Sequence, residues 1–135
     1  MKEDKCVIII DDELPLGIIA NTSAVLGVSL GNKVNEMIGN DFVDHSGYIH
    51  QGITKVPIPI LKSRNLNTLR EKLKQHEPDL LVVDLTNHTL NQPTFEDYIA
   101  AYGSTPVEEQ IYLGIAIYGP KKLVNKHTGS MGLLR

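Results

Sequence analysis

The stretch Lys5-Cys6-Val7-Ile8-Ile9-Ile10-Asp11-Asp12-Glu13 decides the fold class. A continuous apolar run rich in β-branched residues, with charges on both sides, is typical of a strand that is buried on both faces of a sheet. The acidic residues end this strand, and Pro15 suits the first turn of a helix. Apolar residues then recur at helical spacing from Leu16 until Gly31, which is a suitable helix terminator. A buried strand followed by a long helix predicts an α/β fold.

The remainder of the chain continues to alternate strands with helices. Residues 55–61, 79–85 and 111–118 are predicted to be strands, and residues 65–77, 93–102 and 120–127 are predicted to be helices. Residues 32–54 are polar and punctuated by glycines, so they are predicted to be mostly loop with short elements. This order favours a single domain, residues 1–135, in which one twisted sheet has helices on both faces as a three-layer α/β/α structure.

Two local features of these elements carry further expectations. Gly17 and Gly27 inside the first helix each cost about 1 kcal/mol relative to alanine, which favours close packing of that helix on the sheet. Pro57 and Pro59 lack N–H donors, and alternate residues of an extended chain point their N–H groups to the same side. Residues 55–61 are therefore predicted to form an edge strand that pairs only on the side away from the prolines.

The charge distribution limits the classes of partner. The net charge is −3, with three basic and eight acidic residues in positions 1–50 and ten and eight in positions 51–135. Because phosphate neutralisation supplies most of the affinity of nucleic-acid-binding proteins, an acidic domain is a poor default candidate for that class. One basic cluster is the exception, and it is either a surface that follows a phosphate backbone or a solvated helix face. Its members are Lys62, Arg64, Arg70, Lys72 and Lys74.

Targeting and ligand motifs point to an ordinary intracellular protein. The amino-terminal apolar run is too short and its flanks too acidic for a signal peptide, and no run of about 18 apolar residues suits a membrane span. Cys6 lies inside an apolar run and is expected to be a buried hydrophobic residue. His45 and His50, near Asp41 and Asp44, match no metal-ligand spacing, and no glycine-rich phosphate loop is present. We therefore expect a cytoplasmic protein with no membrane contact, metal or cofactor.

Three segments carry a family resemblance. They are residues 5–15, the helix phrase Ala20-Asn21, and the segment Tyr112-Leu113-Gly114-Ile115-Ala116-Ile117-Tyr118-Gly119-Pro120-Lys121-Lys122. Together they resemble domain-of-unknown-function family two thousand, which is placed by its fold beside the type II peptidyl-tRNA hydrolases. The resemblance spans nearly the whole chain. It implies a mixed four-stranded sheet in the order second, first, fourth, third.

The hydrolase residues are matched only in part. The resemblance places Gly17 at a glycine of the hydrolase, but Ile18 stands where its lysine would be, and Asn21 is the nearest candidate for its glutamine. Asp84 matches its aspartate, and His88 stands at a threonine position. Because the lysine that would polarise an ester carbonyl is replaced by Ile18, we predict that peptidyl-tRNA is not hydrolysed at a useful rate.

Candidate site residues follow from the strand ends, because ligands of open α/β sheets bind beyond the carboxyl ends of parallel strands. Asp84 and His88 are the candidate catalytic residues, since a carboxylate can orient a histidine as a general base. In the alternative interpretation, Asp12 caps a helix and residues 86–88 form a solvated turn. The candidate ligand-binding residues are Asp12, Asn21, Thr86 and Asn87.

Three functions remain open from the sequence. The first is a small-ligand-binding or hydrolase-like domain whose cleft is formed by Asp12, Asn21, Asp84 and His88 together. The second is an RNA- or tRNA-associated module that uses the basic cluster. The third is a non-catalytic interaction domain that forms a homodimer through a sheet edge or a helix face. A formed cleft would favour the first function, a contiguous positive surface the second, and a large exposed apolar patch the third.

Overall fold

The computed structural model describes residues 3–135 and is built around a four-stranded mixed sheet. Two further strands form a separate hairpin, and the four main strands lie in the order β4-β1-β6-β5. β1 is parallel to β4 and antiparallel to β6, which is also antiparallel to β5. Counted along the chain, this is the order second, first, fourth, third that the resemblance implies. The strands are β1 (Asp4–Ile10), β2 (Phe42–Val43), β3 (Ile49–His50), β4 (Ile60–Lys62), β5 (Leu81–Thr86) and β6 (Tyr112–Pro120), and the helices are α1 (Leu16–Lys33), α2 (Leu66–Lys74), α3 (Phe95–Gly103) and α4 (Lys121–Thr128).

Both faces of the sheet are covered, because successive side chains of β1 point to opposite sides. Cys6, Ile8 and Ile10 pack in one cluster with Leu26 and Leu30 of α1. Val7 and Ile9 of β1 point to the other side and pack in a second cluster with α2 and α4. Helix α2 contributes Leu69 and Leu73 to this cluster, and α4 contributes Val124. The continuous apolar run of β1 is thus explained by burial on two sides. Burial also raises the pKa of the Cys6 thiol to about 11, so this thiol is unreactive at neutral pH.

Helix α1 begins after Pro15, as predicted, but it continues through Gly31 and ends at Lys33. The predicted reason for Gly17 and Gly27 is wrong: a Cβ added at either position would meet nothing within 4 Å. Close approach occurs on β6 instead, where a Cβ at Gly114 would lie 2.7 Å from Thr22 Cγ2. The residue that allows α1 to approach the sheet is therefore on the strand and not on the helix.

β4 is the last strand at one side of the sheet order, but the prediction that residues 55–61 form an edge strand paired on one side only is wrong. The strand covers only Ile60–Lys62, and Leu61 also forms a bridge with Leu133 on the side away from β1. The Ile8 N–H donates to the Pro59 carbonyl at 3.0 Å, so the side of the backbone that carries the proline nitrogens faces β1. Pro57 and Pro59 have no N–H to donate to β1, so pairing with β1 begins only at Ile60. The outer edge is covered by residues 132–134, since Lys62 N–H donates to the Gly132 carbonyl at 3.0 Å and Leu134 N–H donates to the Ile60 carbonyl at 2.9 Å.

Residues 38–54 form an exposed two-stranded ribbon, which we call the arm. Gly39 N–H donates to the Ile53 carbonyl at 2.8 Å near its base, and β2 pairs with β3 further out. At the tip, Asp44 Oδ1 accepts from Ser46 N–H at 2.8 Å, and Gly47 adopts a φ of 89° that suits glycine. Every residue from 40 to 51 is exposed. The prediction of loop with short elements is confirmed for this segment.

The polar residues of the arm hold its own backbone in place. His50 Nε2 lies 2.7 Å from Asp44 Oδ2, and Asp41 Oδ1 accepts from Gly52 N–H at 2.8 Å. The hydrogen bond with His50 is the main reason that the pKa of the Asp44 carboxyl lies below its ordinary value. These contacts account for the aspartates and for His50 as structural residues of a turn.

Candidate functional site

Asp84 of β5 is held on both oxygens by its neighbours. Arg70 Nε of α2 donates to Asp84 Oδ2 at 2.8 Å, and the Tyr102 hydroxyl of α3 donates to Asp84 Oδ1 at 2.8 Å. Arg70 Nη1 also donates to Glu77 Oε1 at 2.7 Å. The side chains of Arg70 and Asp84 are only 12% and 14% exposed, so this is a largely desolvated ion pair. Asp84 thereby positions Arg70 and Tyr102.

The ionisation of the two partners reflects these contacts. Burial by itself lowers the pKa of Arg70, but the hydrogen bonds to Asp84 and Glu77 outweigh it and hold that pKa above its ordinary value. Burial, and then the hydrogen bond to Asp84, raise the pKa of the Tyr102 phenol. The charged arginine and the neutral phenol are therefore the stable forms at neutral pH.

His88 lies in the turn after β5 and contacts Tyr102 and Thr105. Its Nε2 is 3.3 Å from Thr105 Oγ1, and that hydroxyl donates its single hydrogen to the Ala101 carbonyl at 2.8 Å. With that hydrogen used, His88 Nε2–H is the group that can donate to Thr105 Oγ1. The predicted pairing of this histidine with Asp84 is not formed, because both oxygens of Asp84 are bonded to Arg70 and Tyr102.

Within residues 3–135, the other candidate residues form no hydrogen bond with the Asp84 carboxylate. Arg64 Nε donates to Asp12 Oδ1 at 3.2 Å, a hydrogen bond that lowers the pKa of the Asp12 carboxyl. Asn21 is exposed on α1, which packs on the opposite face of the sheet from α2. Thr86 is fully buried, and the backbone N–H of Asn87 donates to the Ile111 carbonyl at 2.9 Å. The prediction of one cleft shared by Asp12, Asn21, Asp84 and His88 is therefore not met, because the side chain of Asp84 turns towards α2 while Asn21 lies on α1.

A different cleft is formed between α1 and the segment that follows β5. We call it the α1–α3 cleft, and its volume is about 420 Å³. Its apolar lining comes from α1, β5 and α3, and its polar groups come from α1 and the loop before α3. Thr94 also lines it while capping α3, since its Oγ1 accepts from Asp97 N–H at 3.1 Å. The other lining residues are Val25, Leu26, Ser29, Val83, Asp84, Leu85, Thr89, Gln92, Pro93, Phe95 and Tyr98.

Comparison with known proteins places the chain in a family. The family model that matches residues 4–135 is described as Protein of unknown function (DUF2000). The chain belongs to this family. A solved structure with a similar fold is that of a protein of unknown function, Atu0240, from Agrobacterium tumefaciens strain C58. It aligns with a TM-score of 0.86 at 18% identity and covers 98% of each chain. No curated protein matches the sequence.

The basic cluster of this DUF2000 protein is largely neutralised by carboxylates. Arg64 pairs with Asp12 and Arg70 with Asp84. Lys74 Nζ lies 2.8 Å from Glu71 Oε2 one turn earlier on α2. These ion pairs reduce the positive potential that a surface following a phosphate backbone requires.

Sequence reasoning missed the α1–α3 cleft of the DUF2000 chain, although one signal pointed to it. Val83 and Leu85 alternate with Asp84 on β5, so their side chains face α1 while that of Asp84 faces α2. The exposed Phe95 on α3 borders the same space.

Within residues 3–135, no helix combines the length and apolarity needed to cross a bilayer.

Proposed function

We propose that this DUF2000 protein is a binding domain for a small, largely apolar ligand that lies in the α1–α3 cleft. The observation that carries the proposal is a cleft of about 420 Å³ with mainly apolar walls and a few polar groups from Ser29, Thr89 and Gln92. This is the usual character of a small-molecule site, in which apolar surface supplies affinity and a few polar groups fix orientation. Val83 and Leu85 belong to β5, whose pairing with β6 holds the floor of the cleft in place.

We further propose that the sheet is of the type II peptidyl-tRNA hydrolase kind. The support is the strand order β4-β1-β6-β5 with β6 antiparallel to its neighbours. Hydrolase activity has less support than binding, because Ile18 replaces the lysine and Asp84 is engaged by Arg70 and Tyr102. The proposal is accordingly a binding domain on a hydrolase-like scaffold.

The cleft is tested by removing one aromatic wall. We expect Phe95→Ala to weaken binding of the apolar probe 1-anilinonaphthalene-8-sulfonate by about tenfold, since burial against a phenyl ring contributes on the order of 1–2 kcal/mol. Fluorescence titration of the folded protein measures this affinity. Native mass spectrometry of the same samples would show whether a copurifying small molecule is lost from the variant.

The matched control is Ile99→Ala, an exposed apolar residue of α3 outside the cleft lining. It should bind the probe as the unmodified protein does. Equal affinity in all three proteins would contradict the assignment of the ligand to this cleft.

A second candidate function, a self-associating interaction domain, is favoured by two unpartnered apolar surfaces. The arm exposes five large apolar side chains, which are divided between the two faces of the ribbon, with Phe42 on one face and Val43 and Ile49 on the other. Helix α1 exposes the others: Leu16 in its first turn and Val28 near its end are 82% and 75% exposed, and the helix carries no charge before Lys33. The arm residues are Phe42, Val43, Tyr48, Ile49 and Ile53.

A second copy of this chain is the occupant that fits both surfaces. Charge depletion is typical of interface cores, and a two-fold axis would set the arm of each copy on α1 of the other. A different protein would need one apolar surface that fits the arm and another that fits α1. Pairing through the outer edge of β4 is disfavoured, because residues 132–134 already occupy that edge.

Sedimentation equilibrium distinguishes these arrangements. We expect a dimer for the unmodified chain and a monomer for the double variant Phe42→Ser/Ile49→Ser, because both side chains are exposed in a single copy and their loss leaves the core intact. Val28→Glu on α1 should also give a monomer, since it places a charge in the same interface. Val107→Ser, at an exposed apolar residue outside both surfaces, should remain dimeric. A monomeric unmodified chain at high concentration would contradict the proposal.

A further inference from the structure

A polar pocket lies between α2 and α4, on the opposite face of the sheet from α1. Its volume is about 340 Å³, and we call it the α2–α4 pocket. The loop after β4 contributes Ser63, helix α2 contributes Thr68 and Lys72, and the end of the chain from α4 onward contributes Lys126, His127 and Ser130. The pocket therefore gathers two ammonium groups, one imidazole and three hydroxyl groups.

The two lysines of this pocket form no ion pair in the part of the chain that the structure describes. The ion pairs formed within residues 3–135 include neither Lys72 nor Lys126, in contrast to Lys74, which pairs with Glu71. His127 Nε2 is buried and has no hydrogen-bond partner among the residues that the structure describes. Polar atoms buried in this way are uncommon in folded proteins, and a ligand that reaches the pocket would supply the missing partner.

The titration of His127 reflects the same convergence of charge. Burial is the largest cause that lowers the pKa of this imidazole. His76 from the segment after α2, Lys126 on α4 and Lys72 on α2 lower it further through positive charge. The rings of His76 and His127 lie 5.0 Å apart between centroids. All the charged or titratable neighbours that act on His127 are thus basic, and a bound anion would relieve their mutual repulsion.

We infer that the α2–α4 pocket binds the phosphate group of a small molecule. Two ammonium groups supply charge-assisted donors, and the hydroxyl groups of Ser63, Thr68 and Ser130 supply further donors for the remaining oxygens. A nucleic-acid backbone fits less well, because Arg64, Arg70 and Lys74 of the basic cluster are already paired with carboxylates. This site is separate from the α1–α3 cleft and does not depend on it.

Inorganic phosphate is the probe that tests the inference. In an NMR titration at constant ionic strength, the pKa of the His127 imidazole should rise as phosphate saturates the protein, since a negative charge stabilises the protonated ring. Lys72→Met and Lys126→Met should each weaken phosphate binding by about tenfold, in line with the loss of one charge-assisted hydrogen bond. Both lysines are exposed in the free protein, so these variants should fold normally.

Lys122→Met supplies the matched control. Lys122 is an exposed lysine of α4, the helix that carries Lys126, but it lies outside the pocket lining. It should bind phosphate as the unmodified protein does. An equal loss in this variant would reduce the effect to general charge screening and overturn the site. A single-stranded RNA that binds while inorganic phosphate and phosphate monoesters do not would overturn the small-molecule assignment. An unchanged His127 pKa at saturating phosphate would overturn the inference as a whole.

Discussion

Replacing Arg70 with methionine is expected to lower the free energy of unfolding by roughly 3 kcal/mol, because it leaves a desolvated carboxylate without its partner. Arg70 Nε and Asp84 Oδ2 are 2.8 Å apart, and both side chains are almost completely covered. The substitution also frees Glu77, whose Oε1 accepts from Arg70 Nη1 at 2.7 Å. Urea unfolding followed by circular dichroism measures the loss.

Arg64→Met is the matched control for this experiment. Arg64 makes the corresponding bond from Nε to the oxygen of Asp12, but its side chain is 62% exposed, so solvent screens the interaction. Its loss should have a much smaller effect on stability than the loss of Arg70. The double variant Arg70→Met/Asp84→Asn should lose less than the sum of its single variants, because the uncompensated charge is removed. Equal losses for Arg64 and Arg70 would show that burial does not set the strength of the Asp84 pair.

Gly114→Ala is expected to destabilise the protein by roughly 2 kcal/mol through crowding between β6 and α1. The added Cβ would lie 2.7 Å from Thr22 Cγ2, 3.1 Å from Leu26 Cδ1 and 3.2 Å from the Ile9 carbonyl oxygen. Two of these neighbours are fully buried side chains, and the third is backbone of β1, so the site has little room to relax. Thermal or urea unfolding measures the change.

The companion variants separate crowding from other effects of losing a glycine. Gly27→Ala should stabilise the protein by about 1 kcal/mol, since the position is helical and open, and alanine favours the helix. Thr22→Ser removes Cγ2, so it should recover part of the loss caused by Gly114→Ala when the two are combined. A Gly114→Ala protein as stable as the unmodified chain would contradict the close approach of α1.

The sequence allowed the sheet to be predicted better than its edges. The apolar run of β1 and the mixture of large and small residues in β6 are local patterns, and they predict strands directly. The role of Pro57 and Pro59 could not be predicted, because it depends on which side of the backbone faces β1. The side that faces β1 is set by the register of the strand, and a shift of one residue reverses it.

The candidate site was harder to predict for a related reason. Asp84 was selected because it matches the hydrolase aspartate and lies at the end of a predicted strand, but its partners Arg70 and Tyr102 come from two helices on either side of it in sequence. A contact of that kind depends on where each helix packs. The α2–α4 pocket joins residues from α2 with residues that follow β6, and no local pattern links Lys72 with His127. Periodicity identifies elements, whereas a site of this type is created only by their assembly.

The central position of β6 has a consequence for the order of events in folding. This strand joins β1 to β5, and its pairing with β1 brings Asp4 opposite Pro120. The contacts at the middle of the sheet are therefore among the most distant along the chain, and forming them requires closure of a very long loop. Proteins dominated by such contacts fold slowly compared with those built from local ones. During synthesis, the apolar run of β1 emerges long before β6 and stays without its main neighbour, which makes it the segment most exposed to mispairing or chaperone capture.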